Sequence, residues 1–533
     1  MQEFKFSRVR EGVSEQLEFF DAIRQETSIF QHERINFYPT SAIVDGGPIT
    51  FRIDGSSFIG YLDPTKTNLC VQVKIIRPDG LVLTSNPRAH RTSRLKRRSV
   101  GSTPGALSRG KRSNPGENLD TTSGGKDATL PVEQEKEDAS VQQQASRDDD
   151  DDSGSEVASN SATTSSTNTE IDNSQLPPAS FVVLTNNVMG SLFSEVSLNL
   201  NGISPNPTVS TLYSYKRYIE LLLNKDKDWV SSEGQNQGYT ADSIGENRMR
   251  STDVSSFTNL GLEERIRWTD DDRTATFMGP LGLDEIGKTG KCLTNGVDIQ
   301  ITLFQHRDSF RLLAPDNNTR YRVRIVKAWI NACVVRARPE VLVKQDEMLT
   351  SGKLAYYYYP KTSLRYSIIP QGVSRHEVNS ILDNRVPSQV VVVFVRQDAF
   401  NGVYNKNPFY FEHLNVSEIG VYLGATPLMG RPLTADFEDN EYTEVYNSFL
   451  EFFHARNCSI SKTEFAAGNT MYAFDVQHQT NLDDGVFPIM RRGACRMEVT
   501  FRKPLDETYV AILYMRSAGC YNINSARTVT VEY

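Results

Sequence analysis

The segment with the most recognisable chemical pattern runs from Gly282 to Thr289, reads GLDEIGKT, and fits the glycine-rich formula of a phosphate-binding loop. Such a loop holds phosphate with backbone N–H groups at the start of a helix, next to the lysine. The context here is unfavourable. A Gly-Pro pair precedes the segment, and the carboxylates of Asp284 and Glu285 would repel an anion. The sequence therefore does not predict a nucleotide site at Lys288.

Histidine, serine and carboxylate side chains form no recognisable catalytic or metal-binding motif. The seven histidines include no HxH or HExxH pattern. Residues His306 to Ser309 contain the residue types of a hydrolase, but neighbours in sequence rarely face one another, and no GxSxG motif occurs. No catalytic, cofactor-binding or metal-ligating residue is predicted, and we do not expect an enzyme. Because a carboxylate pair for sugar hydrolysis is defined only in space, a carbohydrate-binding or carbohydrate-active β-sandwich is the alternative.

The charge balance argues against a protein dedicated to duplex DNA, because the net charge is −8. One local basic cluster contains Arg94, Lys96, Arg97 and Arg98. It has three readings: a solvated loop, which is the simplest, then a nuclear-localisation patch, or a contact with an enclosed genome. Any contact with DNA is therefore expected to be local and non-specific.

Cysteine usage and hydropathy indicate a reducing compartment. The six cysteines are scattered without a CxxC pair, which predicts packed thiols and neither a zinc ribbon nor a disulfide framework. The first residues lack the apolar core of a secretory signal, and no stretch approaches about 18 consecutive apolar residues. We expect synthesis in the cytoplasm or nucleus and no membrane span.

Two segments differ in composition from the rest. Residues 1–35 mix charged side chains with apolar pairs, which is typical of an N-terminal arm that forms a short amphipathic helix or docks on a neighbour. Between residues 85 and 178, Ser, Thr, Asn, Gln, Gly and Asp replace the residues that a core needs, so we expect a disordered, low-complexity insertion. Strand patterns flank it, which makes it an enlarged loop of the first domain.

Alternating apolar and polar residues, the pattern of half-buried strands, dominate the remaining sequence. The alternation is clear at Ile49–Ile53, at Val196–Leu200 before an Asn-Gly turn, and at Val297–Leu303. Residues Tyr215 to Leu222 instead place apolar side chains at helical spacing and predict one short surface helix. Long loops rich in Gly, Asn and Pro favour antiparallel connections, so the fold class is all-β.

A second series of strands follows the polar segment Lys344–Lys353, which predicts a domain boundary. Its clearest members are Val390–Val395, Val416–Leu423, Cys495–Arg502, Thr508–Met515 and Thr528–Val531. The predicted domains are residues 36–343, interrupted by the insertion, and residues 344–533. The tyrosine tetrad Tyr356–Tyr359 suits either stacking on bases or sugars or a place in a core or subunit interface, and we favour the interface.

The most specific stretch lies between Asp398 and His413 and contains Asp398, Phe400, Asn401, Gly402, Tyr404, Asn407, Pro408, Phe409 and His413. Supporting stretches are Ile49–Ile53, Tyr61–Asp63, Tyr215–Leu223, Asn295–Asp298 and Ser309–Phe310. Together they resemble the double jelly-roll major capsid proteins of Polinton (Maverick) elements and the related adintoviruses. The family has no catalytic residues to carry over, so these positions are expected to be fold or interface elements.

The resemblance implies two tandem antiparallel jelly-roll sandwiches, a double jelly roll, with a few short helices. It implies homotrimeric capsomers of pseudo-hexameric outline that tile an icosahedral shell. A jelly roll suits this task because it exposes only short edges and adjustable loops. The implied partners are neighbouring capsomers, a single jelly-roll penton protein, other capsid components and an enclosed DNA genome. The implied location is the virion, after assembly in the host nucleus or cytoplasm.

The long insertion is a departure from the family and leaves the loop assignment in the first domain open. A capsid-derived copy retained by an animal host, with an altered role, is a further alternative to a virus-encoded subunit.

Overall fold

The computed structural model describes residues 28–76, 182–206, 211–242, 259–269, 273–314, 317, 320–452, 458–476 and 491–532. All of them belong to one compact unit. The insertion at 85–178, the basic cluster at Arg94, Lys96, Arg97 and Arg98, and residues 1–27 of the arm lie outside the described residues. Below, the first half means the described residues up to 337, and the second half means those from 355 onward.

The strands of the first half pair antiparallel in three sheets. In chain order they are β1 Ile29–Phe37, β2 Ile49–Ile53, β3 Tyr61–Ile76, β4 Val183–Leu184, β5 Phe193–Leu200, β6 Ala275–Pro280, β7 Ile299–Gln305, β8 Leu312–Leu313 and β9 Arg322–Ala337. The sheet orders are β1-β9-β3-β6, β2-β7-β5 and β4-β8. Strand β1 crosses residue 35, so the last residues assigned to the N-terminal arm by sequence pair with β9 in the first of these sheets.

The strands of the second half pair antiparallel in two sheets. They are β10 Ala355–Ile369, β11 Arg375–Val378, β12 Gln389–Arg396, β13 Val416–Leu423, β14 Thr426–Pro427, β15 Leu433–Thr434, β16 Tyr472–Asp475, β17 Cys495–Phe501, β18 Tyr509–Ile523 and β19 Val529–Glu532. The orders are β10-β18-β12-β16 with β19 on β18, and β11-β17-β13-β14 with β15 on β13. Among the described residues, no sheet mixes strands of the two halves.

Each half is a sandwich, because the inner faces of two sheets share one buried apolar cluster. In the first half, Phe51 and Ile301 of one sheet and Val71 and Ile325 of the other belong to the same cluster. In the second half, the fully buried run in β12 shares a cluster with residues of β13 and β17. Period-two burial produces this arrangement, since alternate side chains of a strand face the same side. The predicted all-β fold of two antiparallel sandwiches is confirmed.

The helices are short. They are α1 Val188–Ser191, α2 Tyr213–Asn224, α3 Lys227–Ser231, α4 Glu233–Asn236, α5 Leu260–Thr269, α6 Asp284–Gly287, α7 Asp308–Arg311, α8 Pro339–Thr350, α9 Gln397–Asn401, α10 Thr443–Phe452 and α11 Lys462–Ala466. The helix predicted from Tyr215 to Leu222 is confirmed as the centre of α2, but its predicted place on the surface is wrong, because nine of its twelve residues are buried. The polar segment expected at the domain boundary is largely helical, as α8, because Pro339 starts a helix whose residues are mostly exposed, and the boundary itself stays a prediction.

Candidate functional site

Two sets of buried side chains join the halves, and we call them together the junction. The first is a cluster of charged side chains on or next to α2 and α6 that contacts β10. Its members are Lys216, Glu220, Asp284, Glu285 and Lys288. The second is a cluster of aromatic rings in which α2 and α7 meet the segment 398–413. The junction brings together three of the stretches on which the family resemblance depends, namely Tyr215–Leu223, Ser309–Phe310 and Asp398–His413.

The charge cluster occupies the segment that resembles a phosphate-binding loop. The Lys288 ammonium lies 2.7 Å from a carboxylate oxygen of Glu220 and 3.0 Å from Asp284. Lys216 lies 2.9 Å from the same carboxylate of Asp284 and 3.5 Å from Glu220. The strand before this segment, β6, is antiparallel, and α6 has only one turn. Lys288 is therefore held by two carboxylates of its own chain, which supports the sequence argument against a nucleotide site.

The same cluster protects the open edge of β10, the end strand of its sheet. One carboxylate oxygen of Asp284 accepts a hydrogen bond from the backbone N–H of Thr362 at 3.1 Å. Farther along the strand, the Lys291 ammonium donates to the backbone carbonyl of Tyr356 at 2.9 Å. An uncovered strand edge is a template for unwanted pairing, and charged side chains are a common way to block it. First-half side chains thus cap a second-half strand.

Burial and opposite charges shift the pKa values in this cluster in different directions. Burial opposes ionisation of Asp284, but the adjacent ammonium groups of Lys216 and Lys288 outweigh it and hold the pKa of Asp284 below its ordinary value. The same two ammonium groups lower the pKa of Glu220 against the effect of burial. Glu285 lies in the same buried site, but burial and the charge of Asp284 raise its pKa. The cluster therefore contains both stabilised carboxylates and one carboxyl group that resists ionisation.

The aromatic cluster surrounds Phe409, whose side chain is completely buried. Its ring stacks on Tyr218 of α2 with centroids 4.3 Å apart and an interplanar angle of 7°. It meets the rings of Tyr215 and Phe310 edge-on, both at 5.7 Å. Phe400 stacks on Tyr215 at 5.6 Å. Edge-to-face and offset stacked contacts are the favourable geometries for such rings, so the motif phenylalanines are packed inside the chain.

Hydrogen bonds to backbone carbonyls reinforce this contact between the halves. The Arg307 guanidinium donates to the carbonyl of Asn401 at 2.8 Å, and the N–H of Ala314 donates to the carbonyl of Tyr404 at 2.8 Å. The Tyr404 hydroxyl donates to the carbonyl of Tyr321 at 3.2 Å. Gly402 has φ 78°, and a Cβ there would lie 3.3 Å from Cβ of Phe310. A glycine is required because both the conformation and the close approach disfavour a side chain.

The other motif residues shape the segment itself. Asp398 forms an ion pair with Lys406 and accepts from the N–H of Ala399 at 2.7 Å. The side chain of Asn407 accepts from the N–H of Phe409 at 3.0 Å, and Pro408 between them is buried. The imidazole of His413 stacks on Phe437 at 4.3 Å and accepts from the N–H of Asn415 at 3.1 Å. These contacts are internal, and a role of any motif residue between subunits stays a prediction.

The tyrosine tetrad divides between core and surface. Tyr357 and Tyr359 are 3% and 1% exposed and pack in the first-half core with Tyr521, which stacks on Tyr357 at 4.9 Å. Tyr356 and Tyr358 are 38% and 45% exposed on the opposite face of the strand. The alternation follows from the two-residue period of β10. The buried pair therefore adds to the contact between the halves, and the exposed pair lies at the surface.

Sequence reasoning missed Arg527, which lies in the turn between β18 and β19 with φ 61°. Its guanidinium donates to Asn295 at 2.8 Å and to Asp346 at 2.9 Å, and its carbonyl accepts from Asn201 at 2.6 Å. A positive φ at a long, charged residue is uncommon, and the three contacts hold it in place. No local pattern marks Arg527, because its partners are far away in sequence.

Three further observations concern metal binding, membrane spans and the ionisation of His306. Within the ranges that the structure describes, no group of three His, Cys, Asp or Glu side chains is arranged to hold a metal ion. In the same ranges, no helix is long and apolar enough to cross a membrane. Burial, together with the charges of Arg307 and Arg311, lowers the pKa of His306 to about 3, so this imidazole is neutral and stacks on Phe310 at 3.8 Å.

Comparison with known proteins gives one sequence relative and several structural ones. No protein-family model matches the chain. An uncharacterized protein of Caenorhabditis elegans is 23% identical over 328 residues, which cover 60% of this chain and 74% of the relative. A chain in the cryo-EM structure of the Sputnik virophage is 10% identical with a TM-score of 0.55, and the match covers 98% of this chain and 93% of that one. The crystal structure of the mavirus major capsid protein gives 11% identity, a TM-score of 0.48 and coverage of 98% and 95%.

The match to the Sputnik chain extends over both sandwiches, because it covers nearly all of this chain. At this level of identity the likeness concerns the fold and not a shared activity. Together with the two antiparallel sandwiches described above, it identifies the chain as a protein with the double jelly-roll fold.

Proposed function

We propose that the chain is a major capsid protein of the kind encoded by Polinton (Maverick) elements and adintoviruses. Three copies form a capsomer of pseudo-hexameric outline, and capsomers tile an icosahedral shell together with a penton protein and other capsid components. The observation that carries the proposal is the double jelly-roll fold, which matches a chain of the Sputnik virophage over 98% of the length. The proposed location is the virion.

The junction supports this role because a shell subunit has to keep its two sandwiches in a fixed arrangement. Interfaces between domains of one chain are commonly polar and permit relative motion. Here the contact contains a completely buried phenylalanine, Phe409, and a buried network around Asp284. Breaking either one exposes apolar rings or leaves charges unpaired, both of which are costly. We therefore expect the two sandwiches to keep a fixed arrangement.

Exposed apolar side chains on the edge strand β10 are the proposed contact surface between copies. Tyr366 and Ile368 are 52% and 47% exposed, and Tyr356 and Tyr358 lie on the same strand. Aromatic residues are enriched in the centres of protein interfaces. In a closed homotrimer each copy contributes the same two surfaces, so a patch on β10 contacts a different patch on the next copy.

The mass of the full chain in solution tests the proposal. Size-exclusion chromatography with light scattering should give about 180 kDa, three times the 59.9-kDa chain, in a cyclic homotrimer. Tyr366→Glu, at the proposed contact, should lower the mass, whereas Val326→Glu on β9 in the first half should leave it unchanged. A monomer that binds glycans on an array would reject the proposal in favour of a carbohydrate-binding sandwich.

A second candidate, a capsid-derived protein retained by an animal host, is favoured by the relative in Caenorhabditis elegans. A host-retained protein would have the same fold and form the same trimer as a viral capsid subunit, but its trimers would not assemble into a particle. Nuclease treatment of extracts from the source organism separates the two. A virus-like shell protects DNA that co-sediments with the protein, while a host-retained protein sediments as a trimer without protected DNA.

A further inference from the structure

A cavity of about 220 Å³ lies between the two halves, next to the aromatic cluster of the junction. The first half contributes part of α2 and the segment around Tyr239, and the second half contributes α11 with the residues on either side of it. Tyr218 belongs to both features, because its ring stacks on Phe409 and also lines the cavity. A molecule held in this cavity would therefore contact both sandwiches.

Three hydroxyl groups in the walls have no hydrogen-bond partner among the described residues. The side chains of Tyr218 and Tyr239 are only 3% and 8% exposed, and neither hydroxyl makes a hydrogen bond within the part of the chain that the structure describes. Burial raises the pKa of both tyrosines, so both hydroxyls stay protonated. The hydroxyl oxygen of Ser459, from the second half, is also buried and unpaired in the same described ranges. Because a buried hydroxyl without a partner costs free energy, the partners have to come from the contents of the cavity.

The charged side chains in the described walls are Lys227, Asp242 and Glu464. Asp242 pairs with Arg265 at 2.9 Å, and both side chains are almost completely buried. Glu464 accepts hydrogen bonds from the N–H and the hydroxyl of Ser461, both at 2.7 Å. Lys227 is exposed, so solvent screens its charge. Because both carboxylates are already held by their own chain, the cavity favours an uncharged ligand over an ion.

We propose that the cavity binds a small, uncharged polyol that is held by hydroxyl groups of both halves. A hydroxyl group both donates and accepts hydrogen bonds, so one polyol can satisfy Tyr218, Tyr239 and Ser459 together. The volume corresponds to about seven water molecules at about 30 Å³ each, which leaves room for a five-carbon polyol such as xylitol. Leu222 and Ile460 line the same cavity and offer apolar contacts to the C–H groups of the ligand. The bound polyol fastens the first half to the second.

Saturation-transfer NMR of the full chain, with xylitol as the probe, tests this inference. Magnetisation should pass from the wild-type protein to xylitol. The transfer should be lost in Ala467→Phe, because the new ring would fill the cavity while all three hydroxyl groups are kept. A thermal unfolding curve like that of the wild type shows that this variant is folded. None of these measurements depends on whether the trimer forms, because the cavity lies within one chain.

A second variant removes the hydrogen bonds but keeps the shape of the cavity. Tyr218→Phe combined with Tyr239→Phe should weaken the binding of xylitol about ten-fold, as measured by NMR titration, because each lost hydrogen bond lowers the affinity several-fold. Tyr38→Phe, the same change at an exposed position outside the cavity, is the matched control and should leave the affinity unchanged. Transfer that is absent from the wild type, which would mean that the cavity holds water alone, would overturn the proposal. So would transfer that survives Ala467→Phe, or an unchanged affinity in the double variant.

Discussion

The neighbouring residues Asp284 and Glu285 are both buried carboxyl groups, yet their amide variants should have very different effects on folding. Asp284→Asn removes the charge that pairs with Lys216 and Lys288, leaving Glu220 as the partner of two ammonium groups. Removing one partner of a buried ion pair costs about 3–5 kcal/mol. The Lys288 side chain is 27% exposed, so water offsets part of this cost and we expect about 3 kcal/mol.

Glu285→Gln is the matched control, because the pKa of Glu285 is already raised and its neutral form resembles glutamine in shape. We expect a loss below about 1 kcal/mol for this variant. Urea unfolding of both variants at pH 6, monitored by tryptophan fluorescence, gives the two free energies of unfolding. Both should depend on urea concentration with the same slope. The stability of a domain is about 5–15 kcal/mol, so a difference of about 2 kcal/mol is readily measured.

The pH dependence supplies a second check on the same pair. The pKa of Asp284 is lower in the folded chain than in the unfolded chain, so its contribution is fully present above the unfolded value of about 4 and is lost as the pH falls below it. The difference between wild type and Asp284→Asn should therefore shrink below about pH 4. Equal destabilisation by both variants, or a difference that does not change with pH, would refute the reasoning about this cluster.

Three further predictions concern other parts of the structure. Phe409→Ala should destabilise the fold by about 4 kcal/mol because its ring is completely buried, whereas Val326→Ala at an exposed site should cost less than about 0.5 kcal/mol, both measured by urea unfolding. The pKa of His306 lies at about 3 in the folded chain and near 6.5 when unfolded, so stability should fall by about 2 kcal/mol between pH 7.5 and 5, and His306→Phe should flatten this dependence. Mg-ATP should leave the unfolding temperature unchanged, because Lys288 is already paired with Glu220 and Asp284. A higher unfolding temperature with Mg-ATP would instead support a nucleotide site at Lys288.

Local patterns predicted the strands well because burial on one face of a sheet imposes a two-residue period on the sequence. Ile49–Ile53 and Val416–Leu423 have the predicted bounds, and the Asn201-Gly202 turn has positive φ at both residues, as its type requires. Helix α8 was missed because most of its residues are exposed, so its apolar positions do not stand out from a polar segment. Exposure weakens the pattern on which such predictions depend.

The junction could be predicted only in part. The stretches Tyr215–Leu223 and Asp398–His413 were singled out by their resemblance to a family, but no local pattern indicates that they meet. Asp284 was interpreted from the sequence as unfavourable for phosphate, but its partners Lys216 and Thr362 are each more than 60 residues away in sequence, and only the topology brings them together. Tyr357 and Tyr359 belong to the core of the other sandwich for the same reason.

A cryo-EM reconstruction of the purified full-length chain tests the proposed capsid role most directly. We expect a particle with threefold symmetry and a hexagonal outline, in which every copy contributes two sandwiches with Phe409 and Asp284 buried between them. A monomer, a twofold dimer, or copies whose two sandwiches change their relative arrangement would contradict the account.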